Sequence, residues 1–97
     1  NLVDLQKISR EDQDLFALRS QQKAAAAQKS GRLAKEIFSI DVPQPKGAAL
    51  VFNTDEFVKP NTTLEALAKL RPSFREKGTV TAGNSSGLND GACMVLV

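Results

Sequence analysis

The 97 residues contain no histidine, no tryptophan and no tyrosine, and only one cysteine and one methionine, Cys93 and Met94. Without histidine, no Ser/His/Asp triad, Cys/His dyad or His-ligated zinc can lie within the chain. A single cysteine excludes an internal disulfide and a CxxC site, and it fits a reducing compartment, so a cytoplasmic location is expected. With Phe the only aromatic type, a stacking platform for single-stranded nucleic acid lacks its usual residues. No apolar run approaches the ~20 residues of a membrane helix, and no basic-then-apolar leader opens the sequence. A net charge of +2 is too small to imply a polyanion. Nucleic acid, membrane and metal are therefore not expected as partners. The chain does have 41% apolar and 25% charged residues, an ordinary balance that argues against disorder, collagen and coiled coil. Its length allows one small domain or a piece of a larger one, since domains run to roughly 100–200 residues. A chain this short buries only about 60–65% of its unfolded surface, so its core is modest.

Both termini read as cut ends. Asn1 is no initiator, and the chain closes on the apolar run Cys93-Met94-Val95-Leu96-Val97 with no polar cap. Such a run reads as a buried strand with neighbours on both sides. A fragment of a longer protein is expected, with Cys93 as a small core residue. The alternative is a processed small protein with a C-terminal edge strand.

Asn1–Lys7 reads as a short helix or turn. Ser9 then has the chemistry of an N-cap, with Glu11, Asp12 and Asp14 placing negative charge at the positive end of a helix. Arg10–Ser30 is rich in the good helix formers Leu, Gln, Lys and Ala. Leu15, Leu18, Gln22 and Ala25 give a moderately apolar stripe that Phe16 widens, and Gly31 suits the left-handed position that ends a helix. Glu36–Val42 alternates with period two, Phe38, Ile40 and Val42 forming the apolar face. Pro43 and Pro45 close it, Lys46-Gly47 is a turn, and Ala48–Asn53 is a second strand that can pair with the first as a hairpin. Thr63 can cap a short helix, Leu64–Leu70, which Pro72 ends.

Two stretches carry chemistry. Lys59, Lys69, Arg71, Arg75 and Lys77 face only Glu65 and Glu76 in acid, a local charge of +3; this is either a solvated face or an anion site. Gly78–Gly91 holds four glycines, two asparagines and two serines in fourteen residues, between a Thr/Val strand and the apolar run. That is either a long turn, since Gly and Asn tolerate positive φ, or a place where backbone approaches a ligand closely. It has neither GxGxxG nor the GxxxxGK[ST] of a P-loop.

Ile8-Ser9-Arg10-Glu11-Asp12-Gln13-Asp14 followed by Ala17-Leu18-Arg19-Ser20-Gln21-Gln22, then Thr63-Leu64-Glu65-Ala66-Leu67-Ala68-Lys69-Leu70-Arg71-Pro72, and finally Gly78-Thr79-Val80-Thr81-Ala82-Gly83-Asn84-Ser85-Ser86-Gly87-Leu88-Asn89-Asp90-Gly91-Ala92, occur in an order and spacing that resemble the thiolase family. The resemblance covers nearly the whole chain, and its last block is the most specific. It implies an α/β thiolase fold in the intact protein, of which this piece is α+β: one long helix, a hairpin, a short helix and a C-terminal strand. Residues 1–77 would belong to the loop domain, and 78–97 would form a strand-loop-strand returning to the first core domain.

The resemblance also implies an acyltransferase that cleaves 3-ketoacyl-CoA by thiolysis or runs the reverse Claisen condensation. Its partners would be acyl-CoA, the remainder of the thiolase chain and further copies in a homodimer or homotetramer. Coenzyme A would be substrate, with no permanently bound cofactor. The family's nucleophilic cysteine, second cysteine and histidine have no counterparts here, so no catalytic residue is expected in the chain. The coenzyme-binding side falls instead on six residues. Ser86 would contact the pantetheine arm through its hydroxyl, Gly87 would let the arm pass, and Phe74 and Ala82 would line the same tunnel. Lys59, often arginine in the family, would lie near the adenosine-phosphate end, with its planar fork lost; the lesser alternative is an exposed loop lysine. Ala66 takes a place beside the adenine that can be serine. Pro60-Asn61-Thr62-Thr63 looks like the degradative, β-ketoadipyl type. The other reading is a non-catalytic α+β module that binds an acidic partner through residues 59–77.

Overall fold

The computed structural model describes residues 2–97. Its elements run α1 (Leu2–Gln6), α2 (Arg10–Lys29), a 3₁₀ turn (Leu33–Lys35), β1 (Ile40–Val42), β2 (Leu50–Phe52) and α3 (Leu64–Ala68). They form two units. One is the chain up to Ala17 with Leu64–Val97, and the other is Leu18–Thr63.

α2 starts and stops where its end residues dictate. Ser9 Oγ accepts the Asp12 N–H at 3.0 Å and donates to the Asp12 carboxylate at 2.8 Å, satisfying one of the donors a helix start leaves open. At the other end Gly31 takes φ 73°. Its N–H donates to Gln28 O at 3.1 Å and that of Arg32 to Ala27 O at 3.0 Å, the paired bonds of a Schellman ending. The helix therefore stops at Lys29, one residue short of the expected span. Leu15, Leu18 and Ala25 of the expected stripe are half-buried and Gln22 is exposed. Phe16 does not widen the stripe: it is 77% exposed.

In the Leu18–Thr63 unit, β1 and β2 pair antiparallel with Ile40 opposite Phe52, Asp41 opposite Val51 and Val42 opposite Leu50. The hairpin is the expected one, but each strand keeps three residues. Pro43 and Pro45 lie directly after β1, where proline cannot donate to a ladder, and Glu36 instead closes the 3₁₀ turn on Leu33 O at 3.0 Å. Gly47, at φ 88°, makes the turn. The loop after β2 is moored to the side chains of α2. Gln28 Nε2 donates to Asp55 O at 3.0 Å, and the Lys59 N–H donates to Gln21 Oε1 at 2.7 Å. Gln21 and Gln28 are seven apart, so they share a helix face.

The unit formed by the chain up to Ala17 and Leu64–Val97 holds the buried residues, which are Leu67, Asp14 and Thr81 among those described. α3 is shorter than the expected Leu64–Leu70; the chain turns as Leu70 N–H donates to Leu67 O at 3.0 Å. Beyond it, Pro72 and Thr81 form an antiparallel bridge. Ser73 N–H donates to Val80 O, and Arg75 O accepts from Gly78 N–H, both at 2.9 Å. This bridge takes the place of the expected Thr/Val strand. The expected C-terminal strand does not form: no regular structure follows Ser85, because a strand needs a neighbour to bond and none of the described residues lies alongside. The expectation that Cys93 is buried is corrected for the same reason. Cys93 is exposed, and Met94, Leu96 and Val97 beside it are more than 90% exposed. No helix among the described residues is long and apolar enough to cross a membrane.

Candidate coenzyme-binding loop

Five of the six expected coenzyme residues lie in the unit that carries α3, and Lys59 lies in the other. Ala66 is on α3 and exposed. Phe74 sits on the turn between the two sides of the Pro72–Thr81 bridge and is 81% exposed. Ala82 directly follows the bridge and is exposed, as is Ser86, while Gly87 is half-buried. Ala82, Ser86 and Gly87 thus share one loop, while Phe74 lies on the other side of the bridge, toward the Arg75–Gly78 turn. Lys59 is fixed through its backbone: its carbonyl accepts from Thr62 Oγ1 at 2.7 Å, and its N–H is held by Gln21.

The loop owes its shape to Asn84. The Asn84 Oδ1 accepts the Thr81 N–H at 2.7 Å, and its Nδ2 donates to Thr79 O at 2.9 Å and to Asp14 Oδ1 at 2.8 Å. Thr81 is fully buried. Its hydroxyl accepts the Gly83 N–H at 3.2 Å, and its carbonyl accepts from Ser85 Oγ. Thr79 Oγ1 donates to Gln13 Oε1 at 3.2 Å. Under the turn, Gly83 packs so tightly that a Cβ there would stand 2.5 Å from Leu67 Cδ2 and 2.6 Å from Leu70 Cδ1.

Asp14 is the centre that sequence reasoning missed. It is 3% exposed, pairs with Arg10 Nε at 2.8 Å and accepts from Asn84. Arg10 Nη2 goes on to Leu67 O at 2.7 Å and Leu70 O at 3.2 Å, so the guanidinium braces the chain where α3 ends. The i, i+4 spacing of Arg10 and Asp14 was the available signal; the partners 57 to 70 positions further along the chain left none. A shallow cleft of about 320 Å³ lies beside Asn84, lined by Ile8, Asp12, Gln13 and Phe16. None of the six expected residues lines it. Of the basic stretch, Arg75 is engaged by Asp4 at 3.1 Å, a contact that holds the Asp4 carboxyl below its ordinary value of 3.8, first by the hydrogen bond and then by the guanidinium charge.

These features define an α+β segment whose Gly/Asn/Ser loop is bonded to Asp14 through Asn84 and exposes Ala82 and Ser86. The profile of the thiolase N-terminal domain matches residues 1–97, and the chain belongs to the thiolase family. An acetyl-CoA acetyltransferase of Thiocystis violacea is 58% identical over 97 residues, all of this chain and 25% of that protein. A probable acetyl-CoA acyltransferase of Staphylococcus aureus is 54% identical over the same length and share. Among solved structures, the Bacillus anthracis acetyl-CoA acetyltransferase has a TM-score of 0.87 at 46% identity, covering 93% of this chain and 23% of that one. Human mitochondrial 3-ketoacyl-CoA thiolase in complex with CoA has a TM-score of 0.79 at 43% identity, covering 91% and 21%. The chain therefore spans about a quarter of the length of the curated relatives it matches.

Proposed function

We propose that this chain supplies the coenzyme-binding side of a thiolase, an acyltransferase that cleaves 3-ketoacyl-CoA by thiolysis or joins two acyl units in the reverse Claisen condensation. The observation that carries the reading is the 43% identity and TM-score of 0.79, over 91% of this chain, to a thiolase solved with CoA. In this reading Ser86 donates from its hydroxyl to the pantetheine arm, and Gly87 leaves room beside it. Phe74 and Ala82 give the arm an apolar wall, while Lys59 offers its charge to the adenosine phosphates and Ala66 lies beside the adenine. The nucleophile, the proton-transfer groups and the oxyanion holes of the reaction belong to other parts of the full-length protein.

The test is thiolysis by the full-length protein with acetoacetyl-CoA and β-ketoadipyl-CoA. Turnover is expected on at least one; inactivity on every short 3-ketoacyl-CoA sinks the reading. Ser86→Trp fills the space the arm would occupy and is expected to raise KM for the CoA substrate about tenfold, which corresponds to about 1.4 kcal/mol of binding. An unchanged KM removes Ser86 from the site. The acidic-partner reading has no comparable support, since Lys59 and the other cations of its stretch belong to different units and Arg75 is engaged by Asp4.

A further inference from the structure

The Gly/Asn/Ser loop is anchored to a charge buried 70 positions earlier in the chain. We propose that Asp14 is a positioning residue for acyl-CoA: through Asn84 it fixes the backbone from Thr79 to Ser85 that presents Ser86 and Gly87. The proposal rests on the coenzyme reading above and adds to it a residue that need not touch the ligand.

Among the described residues no buried side-chain nitrogen or oxygen lacks a hydrogen-bond partner. Asp14 offers one carboxylate oxygen to Arg10 Nε and the other to Asn84 Nδ2, both at 2.8 Å. Asn84 returns its oxygen to the Thr81 N–H and its second amide hydrogen to Thr79 O. The carboxylate, the Thr79 carbonyl and the Thr81 N–H together fix which way the Asn84 amide points, and the carboxylate alone ties it to α2. With the amide reversed, its NH₂ would meet the Thr81 N–H, donor against donor. Thr79 and Thr81 bracket Val80 on the segment that enters the loop, and Ser85, bonded back to Thr81 O, is the residue before Ser86. Arg10 ties the same carboxylate to the end of α3 through Leu67 O and Leu70 O. Networks whose members satisfy one another hold one geometry, and binding gains when a loop is held in its bound form beforehand.

The experiment uses the full-length protein with Asp14→Asn, Asn84→Ala, the double variant and Ser86→Trp. CoA affinity is measured by titration calorimetry, KM and kcat by thiolysis of acetoacetyl-CoA, and loop order by amide hydrogen exchange across residues 79–87. Asp14→Asn keeps shape and volume but puts an NH₂ against either Arg10 or Asn84. It is expected to weaken CoA binding and raise KM about tenfold, the scale of one hydrogen bond to a charged group, with a much smaller fall in kcat. Exchange at the Thr81 and Gly83 amides should speed up. The double variant should be no worse than the worse single one, since both break one chain of bonds. CoA affinity unchanged in Asp14→Asn while Ser86→Trp weakens it overturns the positioning role and leaves the coenzyme reading standing. Affinity unchanged in Ser86→Trp removes the coenzyme reading and this proposal with it. If Asp14→Asn does not fold, Asn84→Ala decides alone, because it cuts the link from Asp14 to the loop while leaving the Arg10–Asp14 pair in place. A rise in the CoA dissociation constant supports the proposal, and no rise overturns it.

Discussion

A glycine is required at position 83 for space rather than for a special backbone angle. The side chains of Leu67 and Leu70 already occupy the volume a methyl group would need, leaving 2.5 and 2.6 Å to an added Cβ. Leu67 is itself only 4% exposed and has little freedom to retreat. Gly83→Ala should therefore destabilise the fold by about 1–3 kcal/mol, the usual cost of overpacking, seen as a lower urea midpoint. A variant as stable as the wild type would show that the leucines repack freely. At this scale the ends of α2 were legible in the sequence, because Ser9 and Gly31 act on residues within five positions of themselves. Asp14 was read as a charge favouring a helix start, which is what its local surroundings say. Its burial depends on Asn84, 70 residues away, and pairing at that distance leaves no local trace. Gly83 was legible only as one of four glycines; which of them meets packing rather than ligand depends on where α3 lies.

α1 and the turn after Pro72 are linked by an exposed ion pair, Asp4 with Arg75 at 3.1 Å. Because Arg75 lowers the Asp4 pKa, the folded state holds the ionised carboxylate more firmly than the unfolded chain does. The contribution is complete above the ordinary carboxylate value of 3.8 and is lost as pH falls through the depressed folded value. Its size is small, since both side chains are more than half exposed and such pairs are screened by water and salt. Asp4→Asn should lower the urea midpoint slightly at neutral pH and low salt. That difference should vanish as pH drops below 3.8 or as salt rises. A difference that persists in acid would assign the effect to packing. The elements themselves were legible where they are local: α2, α3 and the hairpin were all expected. Their lengths were not, because strand length is set by what lies alongside. β1 loses Glu36 to the 3₁₀ turn and residues 37–39 to irregular chain, and the apolar run after Gly91 has no regular structure.

Among the described residues, full burial is confined to one unit. None of the described residues from Leu18 to Thr63 is fully buried, and Ile40, Leu50 and Val51 of the hairpin are more than half exposed. Such an amount of open apolar surface is more than a self-sufficient soluble domain usually carries, in keeping with a chain that spans a quarter of its relatives' length. The chemistry is distributed in the same way. The chain has no histidine, and its one cysteine is exposed in the closing apolar run rather than placed beside a base. The pure 97-residue chain is therefore expected to show no thiolysis of acetoacetyl-CoA above the buffer rate, whatever its affinity for CoA. The assay follows loss of the 3-ketoacyl-CoA in the presence of free CoA, with the full-length protein as positive control. Turnover by the short chain would require a nucleophile and a proton carrier among Ser, Lys, Asp, Glu and Cys93, and would refute the division of labour proposed for this segment. Retained CoA binding without turnover would locate the coenzyme contacts within these 97 residues and the bond-making groups outside them.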